Sequence, residues 1–109
     1  MRYIFIINSR SNPKSLSELE DAIDYLSRAN ADLRNRIEMR YTEYGGHASD
    51  LALEISEQFG DKVVICACGG DGTIHEIINA LAFRKTPVVP IPFGTGNDFV
   101  KTVLPKWKK

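Results

Sequence analysis

The chain has 109 residues, of which 43% are apolar and 26% charged. That is room for one compact domain with one modest core, and such a composition argues against wholesale disorder. The 14 basic residues balance 14 acidic ones, so no broad basic field exists to hold a nucleic-acid backbone.

In chain order, Tyr3-Ile4-Phe5-Ile6-Ile7 is a continuous apolar run ending at Asn8. This is the pattern of a strand buried on both faces. It is too short to cross a membrane or to form a signal-peptide core, and the lack of a targeting segment points to the cytoplasm. Asn8 to Pro13 is rich in loop formers. Leu16, Leu19, Ile23 and Leu26 then recur at three- and four-residue steps, which gives a helix with one apolar face. Ile37, Met39 and Tyr41 alternate with Arg36, Glu38, Arg40 and Thr42, which predicts a strand with one wet face near a sheet edge.

Gly45-Gly46 turns the chain. Ala48, Leu51, Ala52, Ile55 and Phe59 form the next helical stripe, with Gly60 suited to its C-terminal cap. Lys62 to Ala67 reads as a third strand, continuous and therefore central. Cys66 and Cys68 are one residue apart, neither a redox CxxC nor a zinc spacing, and on a strand they share a side. Two reduced, buried thiols are expected, with no metal bound by sulfur. Ile74, Ile77, Ile78 and Leu81 mark a third helix. Pro87 to Ile91 is a short fourth strand, expected to be short, bulged or exposed on one side at Pro90, which has no ladder donor. The loop Pro92 to Asp98 leads into a short helix near Phe99 to Leu104.

This alternation implies an α/β fold in three layers, a parallel sheet with helices on both faces. Right-handed crossovers place all strand C-termini on one edge. The loops Asn8 to Pro13, Gly69 to Thr73 and Gly94 to Asp98 should therefore converge there, where ligands of such sheets bind.

Gly69-Gly70-Asp71-Gly72-Thr73 sits between a buried strand and a helix. Its glycines leave main-chain N–H groups open, and the helix N-terminus behind adds partial positive charge. Together these make a phosphate cradle without a lysine. The segment is neither Walker A nor the dinucleotide fingerprint, because no Gly-Lys-Ser/Thr follows and His75 holds the third glycine position. A carboxylate at Asp71 repels phosphates unless magnesium or hydrogen bonds intervene, so it points to a metal-nucleotide complex or a base; the plainer role is a helix cap. Gly94-Thr95-Gly96-Asn97-Asp98 is a second loop of this kind, with Asn97 and Asp98 also able to cap.

Gly69 to Glu76, reading GGDGTIHE, followed by Pro90 to Phe99, reading PIPFGTGNDF, resembles the diacylglycerol kinase catalytic domain. That family includes bacterial YegS-like lipid kinases and the sphingosine and ceramide kinases. The resemblance runs over essentially the whole chain. It implies a phosphofructokinase-like, NAD kinase-like nucleotide-binding domain over residues 1–109, which transfers the γ-phosphoryl group of ATP, with Mg2+, to a lipid hydroxyl such as that of diacylglycerol. By position it assigns nucleotide contacts to Asn8, Thr42, Gly69, Gly70, Asp71, Gly72, Thr73, Ile74, His75, Glu76, Gly94, Thr95, Gly96 and Asn97. It places Asp71 and Asp98 in catalysis and implies phospholipid biosynthesis as the setting.

Several departures accompany the resemblance. His75 stands where asparagine is usual and reads as a solvated helix residue. Ser9 to Pro13 lacks a glycine common in the family, leaving Lys14 as the candidate charge there. The family's second, mainly β domain, which carries the lipid cleft, has no counterpart, so this half is expected to be weak or inactive alone. A half domain exposes a sheet edge or helix face that invites self-association. Lys106-Trp107-Lys108-Lys109 suits peripheral contact with an anionic inner membrane face, and a frayed terminus is the simpler reading. Two alternatives stand: an NAD kinase-like enzyme, which also carries GGDGT, and a non-catalytic nucleotide-binding module.

Overall fold

A computed structural model describes residues 1–92. The elements are β1 (Arg2–Ile7), α1 (Pro13–Ala29), α2 (Ala31–Arg34), β2 (Ile37–Tyr41), α3 (His47–Phe59), β3 (Val63–Gly69), α4 (Asp71–Ala80) and β4 (Val88–Pro92). The strands form one sheet in the order β2-β1-β3-β4, and every pair is parallel. The helix expected near Phe99 to Leu104 lies outside the described residues.

The two unbroken apolar runs became the two central strands. Ile4, Phe5, Ile6 and Ile7 of β1 have no exposed surface, nor do Val63, Ile65, Cys66, Ala67 and Cys68 of β3. Alternation divides them between two cores. Phe5, Ile7, Cys66 and Cys68 meet Leu19, Ile23 and Leu26 of α1 on one face. Ile4, Ile6, Ile65 and Ala67 meet Leu51 and Ile55 of α3 and Ile77 of α4 on the other. The expected three layers follow.

Helix boundaries have local causes. Asn12 accepts from the Lys14 amide at 2.8 Å, with Pro13 in the first turn of α1. Asn30 closes α1 through its own N–H to Leu26 and opens α2 by accepting from the Asp32 and Leu33 amides. At four residues, α2 is too short to leave a periodic signal. Gly46 (φ 85°) precedes α3, and Gly60 (φ 58°) ends it with an N–H to Ser56 at 2.8 Å, in conformations that favour glycine.

Some expectations need correction. The apolar face of β2 is only partly covered: Ile37 packs on the α1-side core, whereas Met39 is 42% and Tyr41 37% exposed. Among the described residues β2 is an edge strand that only Ile37 ties to that core, and the Tyr41 hydroxyl donates to Glu20 of α1 instead. Ile78 is likewise 43% exposed, because α4 packs through Ile77 and Ile74. β4 is short and exposed at Pro90, as expected, and carries no bulge, its register with β3 being unbroken from Val88 to Pro92. The Ile65 amide donates to the Pro87 carbonyl, so Val89 and Ile91 turn their main chain to β3 and Pro90 turns its nitrogen outward. The missing donor therefore costs β4 no bond to β3.

Burial pushes the Cys66 thiol up to about 12 and the Cys68 thiol well above its ordinary value. Neither should react with a thiol reagent at pH 8 in the folded chain, and both should react at once in denaturant, because the thiolate is the nucleophile. The same shift makes stability flat below the ordinary value of 9.0. Above it, stability falls by about 1.4 kcal/mol per pH unit for each thiol, since the unfolded chain ionises first. A native-state burst of one thiol per chain would contradict this burial.

Candidate functional site

The sheet order makes the chain leave β1 toward one edge and β3 toward the other. The loops after these strands therefore diverge at their shared carboxyl end, the switch point where such sheets bind ligands. Asn8 ties the two together. Its Nδ2 donates to Thr73 Oγ1 at 3.0 Å, its main-chain N–H donates to the Cys68 carbonyl at 3.2 Å, and its Oδ1 accepts from the Arg10 amide at 2.9 Å. The end of β2 is joined to the same place. The Thr42 amide donates to Ile7, Thr42 Oγ1 accepts from the Ser9 amide at 3.3 Å, and the Ser9 hydroxyl donates to the Thr42 carbonyl.

The glycines of the β3–α4 loop divide their work. Gly69 is buried, and a Cβ there would meet Thr73 Cβ at 3.0 Å. At Gly70 and Gly72 a Cβ would meet nothing within 4 Å. Gly70 is the N-cap of α4 and no side chain caps the helix, whose first internal bond runs from the Ile74 amide to the Gly70 carbonyl. Among the described residues the first turn of α4 thus has no side-chain cap at the positive end of the helix dipole. Asp71 is exposed as the first residue of α4, not its cap.

The start of α3 is also without a side-chain cap of its own, and Glu76 of α4 supplies an acceptor, its Oε1 taking the Ser49 amide at 3.3 Å. In the β2–α3 loop the Glu43 amide donates to His47 Nδ1 at 2.8 Å. The Tyr44 ring stacks on His47 at 4.2 Å, and its hydroxyl donates to Asp50, a bond that raises the phenol above its ordinary value. These pieces enclose a cavity of about 140 Å³. Its walls are Asn8, Ser9 and Arg10 after β1, Thr42 to Gly46 after β2, Ala48, and Thr73 and Glu76 of α4.

Of the residues singled out from sequence, Asn8, Thr42, Thr73 and Glu76 meet in this cavity. Gly70, Asp71 and Gly72 sit beside it on the exposed end of α4, joined to it through Thr73. Ile74 packs against the core of α3 and α4, and its amide donates to the Gly70 carbonyl. His75 is exposed and outside the cavity walls. Gly94, Thr95, Gly96, Asn97 and Asp98 lie outside the described residues. Sequence placed Ser9 and Arg10 in a loop at this edge without giving them a contact, and it missed Glu43, Tyr44, Gly45 and Gly46. Their signal was position, since all directly follow strands that end at this edge. Arg10, not Lys14, brings the cation to the wall. Among the described residues no three His, Cys, Asp or Glu side chains cluster as a metal site.

This is an α/β domain of the NAD kinase-like fold. It matches the crystal structure of a diacylglycerol kinase from Bacillus anthracis str. Sterne with a TM-score of 0.64 and 23% identity, over 94% of this chain and 36% of that one. The profile of the diacylglycerol kinase catalytic domain matches residues 2–109, and the chain belongs to that family. It is 36% identical over 104 residues to a probable lipid kinase YegS of Escherichia fergusonii, covering 92% of this chain and 32% of that protein. Over 73 residues it is 41% identical to sphingoid long chain base kinase 5 of Saccharomyces cerevisiae, covering 59% of this chain and 10% of that protein. The chain thus spans a third or less of these curated relatives. No helix among the described residues is long and apolar enough to cross a membrane.

The two adjacent glycines should respond differently to one methyl group. Gly69→Ala forces Thr73 off Asn8 and should lower stability by about 1–3 kcal/mol in urea unfolding. Gly70→Ala adds its Cβ to open space and should change stability by less than about 0.5 kcal/mol. Equal losses at both positions would refute the close packing of Gly69 on Thr73.

Proposed function

We propose that this chain is the ATP-binding domain of a lipid kinase. The observation that carries the reading is the Asn8–Thr73 bond, which fastens the β1 and β3 loops together beside a helix end left without a side-chain cap. A triphosphate suits that end. Open space about a Cβ at Gly70 and Gly72 admits it, first-turn amides of α4 bind its oxygens, and Arg10 on the cavity wall offsets its charge. Asn8 and Thr42 hold the nucleoside in the cavity. ATP, when bound, supplies the γ-phosphoryl group.

Asp71 is the residue through which Mg2+ fits. Magnesium on a nucleotide is held mainly by phosphates and water, with one or two carboxylates. One acid at the helix end therefore meets that demand without a preformed cluster, and Asp71 and Asp98 are proposed as the catalytic carboxylates. Gly94, Thr95, Gly96 and Asn97 are proposed as further nucleotide contacts. The acceptor is a lipid hydroxyl, with diacylglycerol and a sphingoid base as the two candidates its relatives suggest. The lipid cleft is assigned outside this domain, so the isolated domain binds nucleotide weakly and transfers phosphate poorly. Such an enzyme would work in phospholipid biosynthesis in the cytoplasm, in peripheral contact with the inner membrane face.

Calorimetry with Mg-ATP tests the site. Gly70→Val places branched carbons in the cradle and should weaken binding at least about tenfold, which is 1.4 kcal/mol, while circular dichroism stays native. A folded variant with unchanged affinity would reject the cradle. Labelled ATP offered with diacylglycerol, sphingoid base and NAD together tests the reaction in a full-length kinase carrying this domain. Label is expected in lipid, and label in NAD would overturn the acceptor class.

A further inference from the structure

We propose that the free edge of β2 is a homodimer interface, at which two copies of this chain pair antiparallel about a two-fold axis through Met39. Among the described residues β2 has one strand partner, β1, so its other side carries unpaired main-chain groups. Which groups these are follows from the ladder. The Arg36 carbonyl accepts from Tyr3 and the Thr42 amide donates to Ile7. The even residues of β2 therefore face β1, and Ile37, Met39 and Tyr41 turn their N–H and C=O outward.

An antiparallel copy must match outward residues with outward residues. Pairing Met39 with its own copy does so across the whole strand, setting Ile37 against the copy's Tyr41 and Tyr41 against its Ile37. Each such pair exchanges two main-chain bonds, for about six in all. Glu38 then falls opposite the copy's Arg40, and Arg40 opposite its Glu38, both in the non-hydrogen-bonded positions where side chains stand closest, at about 4.5 Å between Cα atoms. The charges are thus complementary under the same axis that aligns the main chain.

In the single chain Arg40 meets Glu38 at 3.2 Å and Glu54 at 4.0 Å, in side chains 37–66% exposed, so little is lost by sharing them. On the other face Met39 at 42% and Tyr41 at 37% exposure gain apolar cover from their counterparts. Edge strands are ordinarily blunted by charged side chains, lysine above all, by proline or by a bulge, and the two charges of β2, Glu38 and Arg40, are of opposite sign and so match a second copy instead of repelling it. β2 has no lysine or proline, and its register with β1 is unbroken from Ile37 to Tyr41. A second copy fits this edge because the match is to itself. The result is one continuous sheet made from two four-stranded ones.

Sedimentation velocity over a concentration series tests this on the whole chain, with circular dichroism as the check on folding. The native chain should dimerise reversibly. Glu38→Arg and Arg40→Glu should each weaken the dimer at least about tenfold by setting like charges opposite, which is 1.4 kcal/mol. Mixing the two variants should restore a heterodimer, a result that another surface would not produce. Met39→Pro removes an outward N–H without touching the β1 ladder and should be folded and monomeric. A native chain that stays monomeric at millimolar concentration overturns the proposal and leaves the edge to a different occupant. So does a folded Met39→Pro chain that dimerises as well as the native one, or a mixture of charge variants that remains monomeric.

Discussion

The pairing of β1 with β3 is the constraint on which the rest depends. From Ile4 to Ile7 and from Ile65 to Cys68 both strands are apolar and buried on both faces, so they cannot lie at an edge without exposing large side chains. Placed side by side in the register Ile7 against Cys68, they bring Asn8 next to the first turn of α4. The Asn8–Thr73 bond is the consequence, and the cavity walls are arranged around it. Site and core are thus one problem in packing: a slip of one residue would turn every side chain of β1 to the opposite face and part the two loops.

Caps tell a second story. Three helices follow strands and so begin at the carboxyl edge: α1, α3 and α4. Asn12 caps α1 with its side chain, whereas α3 and α4 lack such caps on their own N-cap residues. Glu76 reaches across from α4 to help α3, which also locks the two helices together. The α4 end is left open. A free helix end beside a cavity is costly for folding alone and useful for an anion, the balance expected where function overrides local stability.

The edges differ from the centre for the same physical reason. β2 and β4 pair on one side among the described residues, and both contain residues a central strand would not tolerate. Pro90 survives because its nitrogen faces outward, and Glu38 and Arg40 survive because water reaches them. β2 is also the strand whose end carries Thr42 and Glu43 into the cavity, so its partly covered position bears on the site as well as on the surface.

The sequence by itself determined the class of fold, the placement of the two central strands and the identity of the glycine loop. Each of these rests on local regularities: continuous apolar runs, helical spacing, and glycines at a strand end. It also carried the GGDGT and GTGND resemblance to a family to which the chain belongs. Tertiary structure alone decided which loop residues share a wall. Ser9, Arg10, Glu43 and Tyr44 have no pattern of their own and enter the cavity only because parallel strands end together. It also decided that Ile74 faces the core and that Met39 and Tyr41 stay partly in water, since periodicity records which side of an element is apolar but not whether a neighbour arrives to cover it.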